Sequence, residues 1–148
     1  MRKAMVKTNI QTHVIIVDGM QLRRAQIAAF LLPWCVQHGL NLQTVEPEKI
    51  DALEVARMIV LPFSANYLTS AERLRLIREL RQAMPQTPIV ILTDHSSQEE
   101  IVAALEAGVM GYIPGSIEPH LALDALTFIL EGGHYFPTPP AVEKPASG

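Results

Sequence analysis

Asp18, Asp94 and His95 are the residues of this chain whose types could cooperate in chemistry. Two carboxylates and an imidazole make a workable ligand set for a divalent metal, and each lies just past an apolar run, Val14 to Val17 for Asp18 and Ile89 to Leu92 for the other two. Thr93 adds a hydroxyl at the end of the second run. A plainer expectation stands against a metal: Asp94 begins a turn, His95 is a solvated loop residue, and Asp18 accepts hydrogen bonds from backbone amides of the loop that follows its strand. No nucleophile is paired with a base in the sequence, so an enzyme is not expected. The single cysteine, Cys35, sits beside Trp34 in a helical stretch. It reads as a small core hydrophobe, and its solitude excludes a disulfide framework and favours a reducing, cytoplasmic setting.

The elements that must position these residues alternate strand and helix. Val14-Ile15-Ile16-Val17, fully apolar and β-branched, predicts a strand β1 buried on both faces. From Met20 to Gln37, Leu22, Ile27, Phe30 and Leu31 recur at helical spacing, giving a helix α1 kinked or broken near Leu32 by Pro33 and stopped by Gly39. Leu40 to Val45 alternates as a half-buried strand β2, and Pro47 to Val55 is a weak helix α2 opened by its proline. Met58 to Leu61 is β3, ending at Pro62-Phe63, and a loop through Ser64 to Tyr67 follows. Thr69-Ser70-Ala71-Glu72 is a capping box that opens α3, with Leu74, Ile77, Leu80 and Met84 on one face. Arg73, Arg75, Arg78 and Arg81 fall largely on the other, expected to be solvated.

Pro88 to Thr93 predicts β4. Ser97-Gln98-Glu99-Glu100 is a second capping box, opening an α4 that Gly108 ends. Met110 to Ile113 is a short β5. Glu118-Pro119 starts α5, with Leu121, Leu123, Leu126, Phe128, Ile129 and Leu130, terminated by Gly132-Gly133. Residues 1–12 read as a polar tail, 13–136 as one domain, and 137–148, with four prolines, as an extended linker or terminus.

With 148 residues, the chain can bury one sizeable core but not two comfortable ones. A net charge of −3, without a large basic cluster, gives no footprint for nucleic acid. The polar start lacks the apolar stretch of a secretory signal, and no apolar run approaches the roughly 20 residues that span a membrane. A soluble protein is expected. Five strands alternating with helices imply a parallel sheet covered on both faces, with its ligand site beyond the carboxyl ends of the strands.

Three segments sharpen this: Val14-Ile-Ile-Val-Asp-Gly, Pro88-Ile-Val-Ile-Leu-Thr-Asp-His and Ala104-Leu-Glu-Ala-Gly-Val-Met-Gly-Tyr-Ile-Pro-Gly. Through them the chain, from about Thr12 to Phe136, resembles the receiver domains of two-component response regulators. Leu130-Glu-Gly-Gly-His-Tyr-Phe-Pro resembles the exit from receivers of the LuxR/NarL type, after which a linker and a DNA-binding domain would follow. The resemblance implies a flavodoxin-like (βα)5 fold, three-layered, with strand order 2-1-3-4-5. Such receivers hold Mg²⁺ with two acids after β1, here Asp18 and Gly19. Their phosphate-accepting aspartate corresponds to Pro62, their hydroxyl to Thr93 and their lysine to Gly115, so three of the five positions lack the family's group. Mg²⁺ binding is accordingly expected to be weak or lost, and phosphoryl transfer absent. Tyr112 matches the switch aromatic that works with Thr93. With no phosphate to sense, that pair is expected to be fixed in one state, leaving the α4, β5 and α5 face as a constitutive surface for homodimerisation or protein docking. The alternative is a receiver fold whose altered cleft takes a small molecule or a metal.

Overall fold

Side chains of opposite parity along each strand separate the core into two layers. The computed structural model describes residues 12–52, 56–64, 68–94 and 97–137. Strands β1 (His13–Val17), β2 (Asn41–Val45), β3 (Met58–Phe63), β4 (Ile89–Thr93) and β5 (Gly111–Pro114) form one parallel sheet in the order 2-1-3-4-5. Val14, Ile16, Met58, Val60 and Val90 face α1 (Gln21–Gln37) and α5 (Pro119–Leu130), packing on Leu31, Trp34, Leu126 and Ile129. Ile15, Val17, Ile59, Leu61 and Ile91 face the opposite layer, α3 (Ser70–Ala83) and α4 (Gln98–Glu106), meeting Leu76, Ile77, Leu80 and Ala104. This period-two division of an apolar sheet is what covers both of its faces. The expected three-layer α/β architecture is the one observed.

Several local expectations change. Helix α1 runs unbroken through Pro33. The proline lies on the exposed side, where water can reach the carbonyl that its ring leaves without a donor, and buried Leu31, Trp34 and Cys35 hold the helix to the sheet on either side of it. Trp34 adds a hydrogen bond from Nε1 to Thr127 Oγ1 on α5, at 3.0 Å. Gly39, at φ +70°, then turns the chain into β2, a left-handed conformation that a side chain would strain. The weak helix α2 is a 3-10 helix, Pro47–Ala52, and the remainder of its expected span lies outside the described residues. β3 continues past Leu61 to include Pro62 and Phe63. The segments 1–11 and 138–148, which cover nearly all of both expected tails, lie outside the described residues as well. Among the described residues no helix is long and apolar enough to cross a membrane.

Cys35 is fully buried, and that burial pushes its thiol up to about 11. The thiolate is therefore scarce at neutral pH and shielded by packing. Folded protein is expected to react with a thiol-specific reagent no faster than it unfolds. Prompt stoichiometric labelling at pH 8 without denaturant would contradict this burial.

Candidate functional site

Parallel strands all end at the same edge, and the register gathers the residues singled out above there. β1 pairs with β3 up to Ile16 opposite Val60, so Asp18 follows β1 beside the end of β3. Pro62 lies opposite Leu92, Phe63 opposite Thr93, and Thr93 opposite Pro114. Gly115 is drawn in by its amide, which donates to the Thr93 carbonyl at 2.6 Å.

Asp18 is only 1% exposed, and its carboxylate is fully engaged. Oδ1 accepts from the amide of Met20 at 3.0 Å, as expected for an acid that orders the loop after β1. The larger partner is one that residue types alone did not identify. Arg23, in the first turn of α1, donates from Nε to Oδ2 and from Nη2 to Oδ1, both at 2.8 Å. This is the two-pronged geometry for which guanidinium and carboxylate are matched. Nη2 also donates to the Pro62 carbonyl at 3.2 Å, tying α1 to the end of β3. Arg24 completes the clamp by donating to the Asp18 carbonyl at 2.8 Å. Pro62 is suited to its place because the β1 ladder stops at Val60. Beyond it β3 needs no amide toward β1, and the proline carbonyl is available to the guanidinium.

The other predicted residues are placed differently. Gly19 is exposed and follows the clamp without contributing a side chain. Thr93 is buried at the end of β4, whereas Asp94 is exposed just beyond it. Asp94, Thr93, Gly115, Pro62 and Arg23 share the wall of a hollow of about 320 Å³, otherwise mostly apolar through Phe30, Leu92 and Ile113. A side chain at Gly115 would place its Cβ 3.3 Å from the Thr93 carbonyl oxygen and 3.4 Å from Asp94 Cα, tight enough that a neighbour must give. His95 lies outside the described residues. Among the described residues no three of histidine, cysteine, aspartate and glutamate gather as a metal site. The oxygens that Asp18 would offer a metal are both bonded to Arg23, so the residues present do not fit Mg²⁺.

A second cluster lies on the other side of the sheet. Tyr112 on β5 is buried and donates from its hydroxyl to Glu100 Oε1 on α4 at 3.2 Å. Glu100 Oε2 in turn accepts from Arg73 Nη1 on α3 at 2.8 Å. Arg73 also donates to the Ser64 carbonyl, and its guanidinium carbon lies 5.2 Å from the centroid of the Phe63 ring. Arg73 is therefore not on a solvated face, unlike the exposed Arg75 and Arg78. The capping box expected at α4 is half formed for the same reason. Ser97 accepts from the Glu100 amide at 3.1 Å, but the Glu100 carboxylate is turned toward Arg73 and Tyr112. Burial, followed by the adjacent negative charge of Glu100 and the hydrogen bond to it, raises the Tyr112 hydroxyl well above the usual tyrosine range, with Arg73 opposing.

With fold and site described, the solved structures that this chain resembles are mostly response regulators and their receiver domains, and its curated relatives are transcriptional regulators. A LuxR family DNA-binding response regulator from Silicibacter pomeroyi superposes with a TM-score of 0.69 at 26% identity, over 85% of this chain and 97% of that one. The receiver domain of RcsB from Salmonella enterica serovar Typhimurium, solved with BeF3⁻, superposes at 0.66 with 19% identity, over 90% of this chain and 97% of that one, a likeness of fold. In sequence, the transcriptional activator protein ExaE of Pseudomonas putida is 27% identical over 137 residues, 88% of this chain and 60% of that protein. The transcriptional regulator NtrC of Klebsiella pneumoniae is 32% identical over 78 residues, 51% of this chain. The chain thus spans 60% of the first of these regulators and 16% of the second. No family model matches it.

Proposed function

We propose that this chain is an atypical receiver domain, a protein-interaction module of signal transduction or transcriptional control that works in the cytoplasm without accepting a phosphoryl group. The observation that carries this reading is the clamp of Arg23 on Asp18 and Pro62. A receiver of the resembled family needs two acids for Mg²⁺ and a nucleophilic carboxylate at the end of β3. Here one acid is bonded to a guanidinium and the other position is Gly19, while Pro62 offers no nucleophile. A fixed cation among these oxygens also repels a divalent one. Gly115 brings no cation to balance a phosphate. The Tyr112, Glu100 and Arg73 chain supports a switch held in one arrangement without phosphate, so that the face of α4, β5 and α5, where Val102 and Leu105 are exposed, serves as a constitutive surface for homodimerisation or a protein partner.

One experiment tests the reading through two signals. Acetyl phosphate with Mg²⁺ is expected to leave the intact mass unchanged, both in the native chain and in Pro62→Asp, and Mg²⁺ alone is expected to give no heat of binding. A single phosphoryl adduct on the native chain would overturn the proposal. An adduct on Pro62→Asp would show that the clamp does not keep the metal out. The hollow beside Arg23 favours a second reading, in which the cleft holds a small molecule, since about 320 Å³ lies at the low end of ligand pockets.

A further inference from the structure

The hollow beside Arg23 opens beyond the carboxyl ends of β3, β4 and β5, the edge at which open α/β sheets hold their ligands. Ile27 and Phe30 of α1 wall it on one side, and Pro119 and Ala122 of α5 on another. Phe30 is 36% exposed, and the half-buried Ile27, Leu92 and Ile117 stand with it on the same wall. Together they present a contiguous apolar surface to water, the mark of a place that something else covers. The wall is also rigid. Pro62, Pro114 and Pro119 restrict the backbone at three points, and the guanidinium of Arg23 ties α1 to the Pro62 carbonyl at 3.2 Å. A ligand entering such a hollow has little protein ordering to offset.

The chemistry of the wall indicates what fits. Its charged residues are Arg23 and Asp94. Arg23 is matched by Asp18 through two bonds of 2.8 Å, so its charge is already answered and gives an anion little to gain. Asp94 is different: it is exposed, and no side-chain hydrogen bond or ion pair reaches it among the described residues. The hollow therefore combines apolar walls with one unmatched negative charge at the rim. Gly115 adds space, since it forms its part of the wall with backbone alone. An apolar body fits these walls, an ammonium group answers Asp94, and a carboxylate in the same place is repelled. Because Asp94 lies at the surface, the charge is worth up to about fivefold in affinity and the apolar contact carries the rest. About 320 Å³ suits a compact molecule of roughly ten heavy atoms.

We infer that the hollow binds a small aromatic amine in its ammonium form, with the ring against Phe30 and Ile113 and the ammonium at Asp94. The inference rests on the second reading given above, that the cleft holds a small molecule, and assigns its class. Three probes share a ring and differ in charge: 2-phenylethylamine, 2-phenylethanol and phenylacetate. Each is titrated into the full chain at low ionic strength, where the rim charge is least screened, and followed by amide chemical shifts. The amine is expected to bind with a Kd on the order of 1 mM, shifting Gly115, Ile117 and Phe30. The alcohol should bind about fivefold more weakly and phenylacetate at least about tenfold more weakly. Asp94→Asn should bring the amine down to the level of the alcohol and leave the alcohol unchanged. Gly115→Leu, which places a side chain in the wall, should weaken all three at least about tenfold. If none of the probes binds at about 20 mM, or the shifts centre on Arg73 and Tyr112 across the sheet, the hollow is not a ligand site and the small-molecule reading falls with the proposal. If all three bind there alike, or Asp94→Asn leaves the amine unaffected, the hollow takes ligands without selecting a cation, and the class assigned to it is overturned alone.

Discussion

Replacing Arg23 with methionine is expected to destabilise the domain by about 3 kcal/mol, because it leaves the Asp18 carboxylate buried without its counter-charge. Methionine preserves much of the apolar stem, so the loss reports the guanidinium rather than packing. Asp18 would keep the Met20 amide, but one neutral donor does not balance a buried anion. For a domain of this size the cost corresponds to a fall in melting temperature of about 10 °C. Adding Asp18→Asn should restore most of it, because the orphaned charge disappears while an oxygen remains for the Met20 amide. Chemical denaturation of the native chain, both single variants and the double variant closes a thermodynamic cycle that isolates the pair. A coupling below about 1 kcal/mol would place Arg23 and Asp18 among solvent-screened surface pairs and remove the clamp from any structural role.

The residues that make the clamp explain why part of the site was legible in sequence and part was not. Asp18, Pro62, Thr93 and Gly115 could be located because each closes or follows a short apolar strand, and parallel strands deliver their ends to one edge. Arg23 was not identified, although there was a signal: Arg23 and Arg24 are the charged residues of a helix that otherwise has none, and they come just five and six positions after Asp18. Periodicity assigns an arginine to solvent by default. That rule held for Arg75 and Arg78 and failed for Arg73, whose partner Glu100 lies 27 residues away, beyond the reach of any local pattern. The prolines misled in a related way. Pro62 suggested the end of β3 and Pro33 a break in α1, since proline lacks an amide hydrogen. At both positions the surroundings make that hydrogen unnecessary, through the end of the β1 ladder in one case and solvent exposure in the other. In α1 the helical spacing grouped Leu22 with Leu31, yet Leu22 is exposed and Leu31 buried, because spacing alone does not say which side of an apolar helix faces the sheet.

Removing the Glu100 carboxylate should release the contact that joins α3, α4 and β5. Glu100→Ala leaves the Tyr112 hydroxyl without its acceptor and Arg73 without its counter-charge, at a cost of about 2 kcal/mol, together with faster amide exchange along α4. The hydroxyl of Tyr112 supplies a finer measure. Its ionisation is raised in the fold, so the unfolded chain loses that proton first. The associated stability is complete below the ordinary tyrosine value near pH 10 and is lost as pH rises beyond it. The phenolate absorbance of Tyr112, assigned by difference from Tyr112→Phe, should therefore develop only as the protein unfolds in alkali. Burial is the leading cause of the shift and Glu100 the next. Glu100→Gln, which removes the charge but retains an oxygen acceptor, should thus lower the ionisation only part of the way to its ordinary value. Phenolate appearing near pH 10 in the folded native chain would place Tyr112 in solvent, and the fixed switch would fall with it.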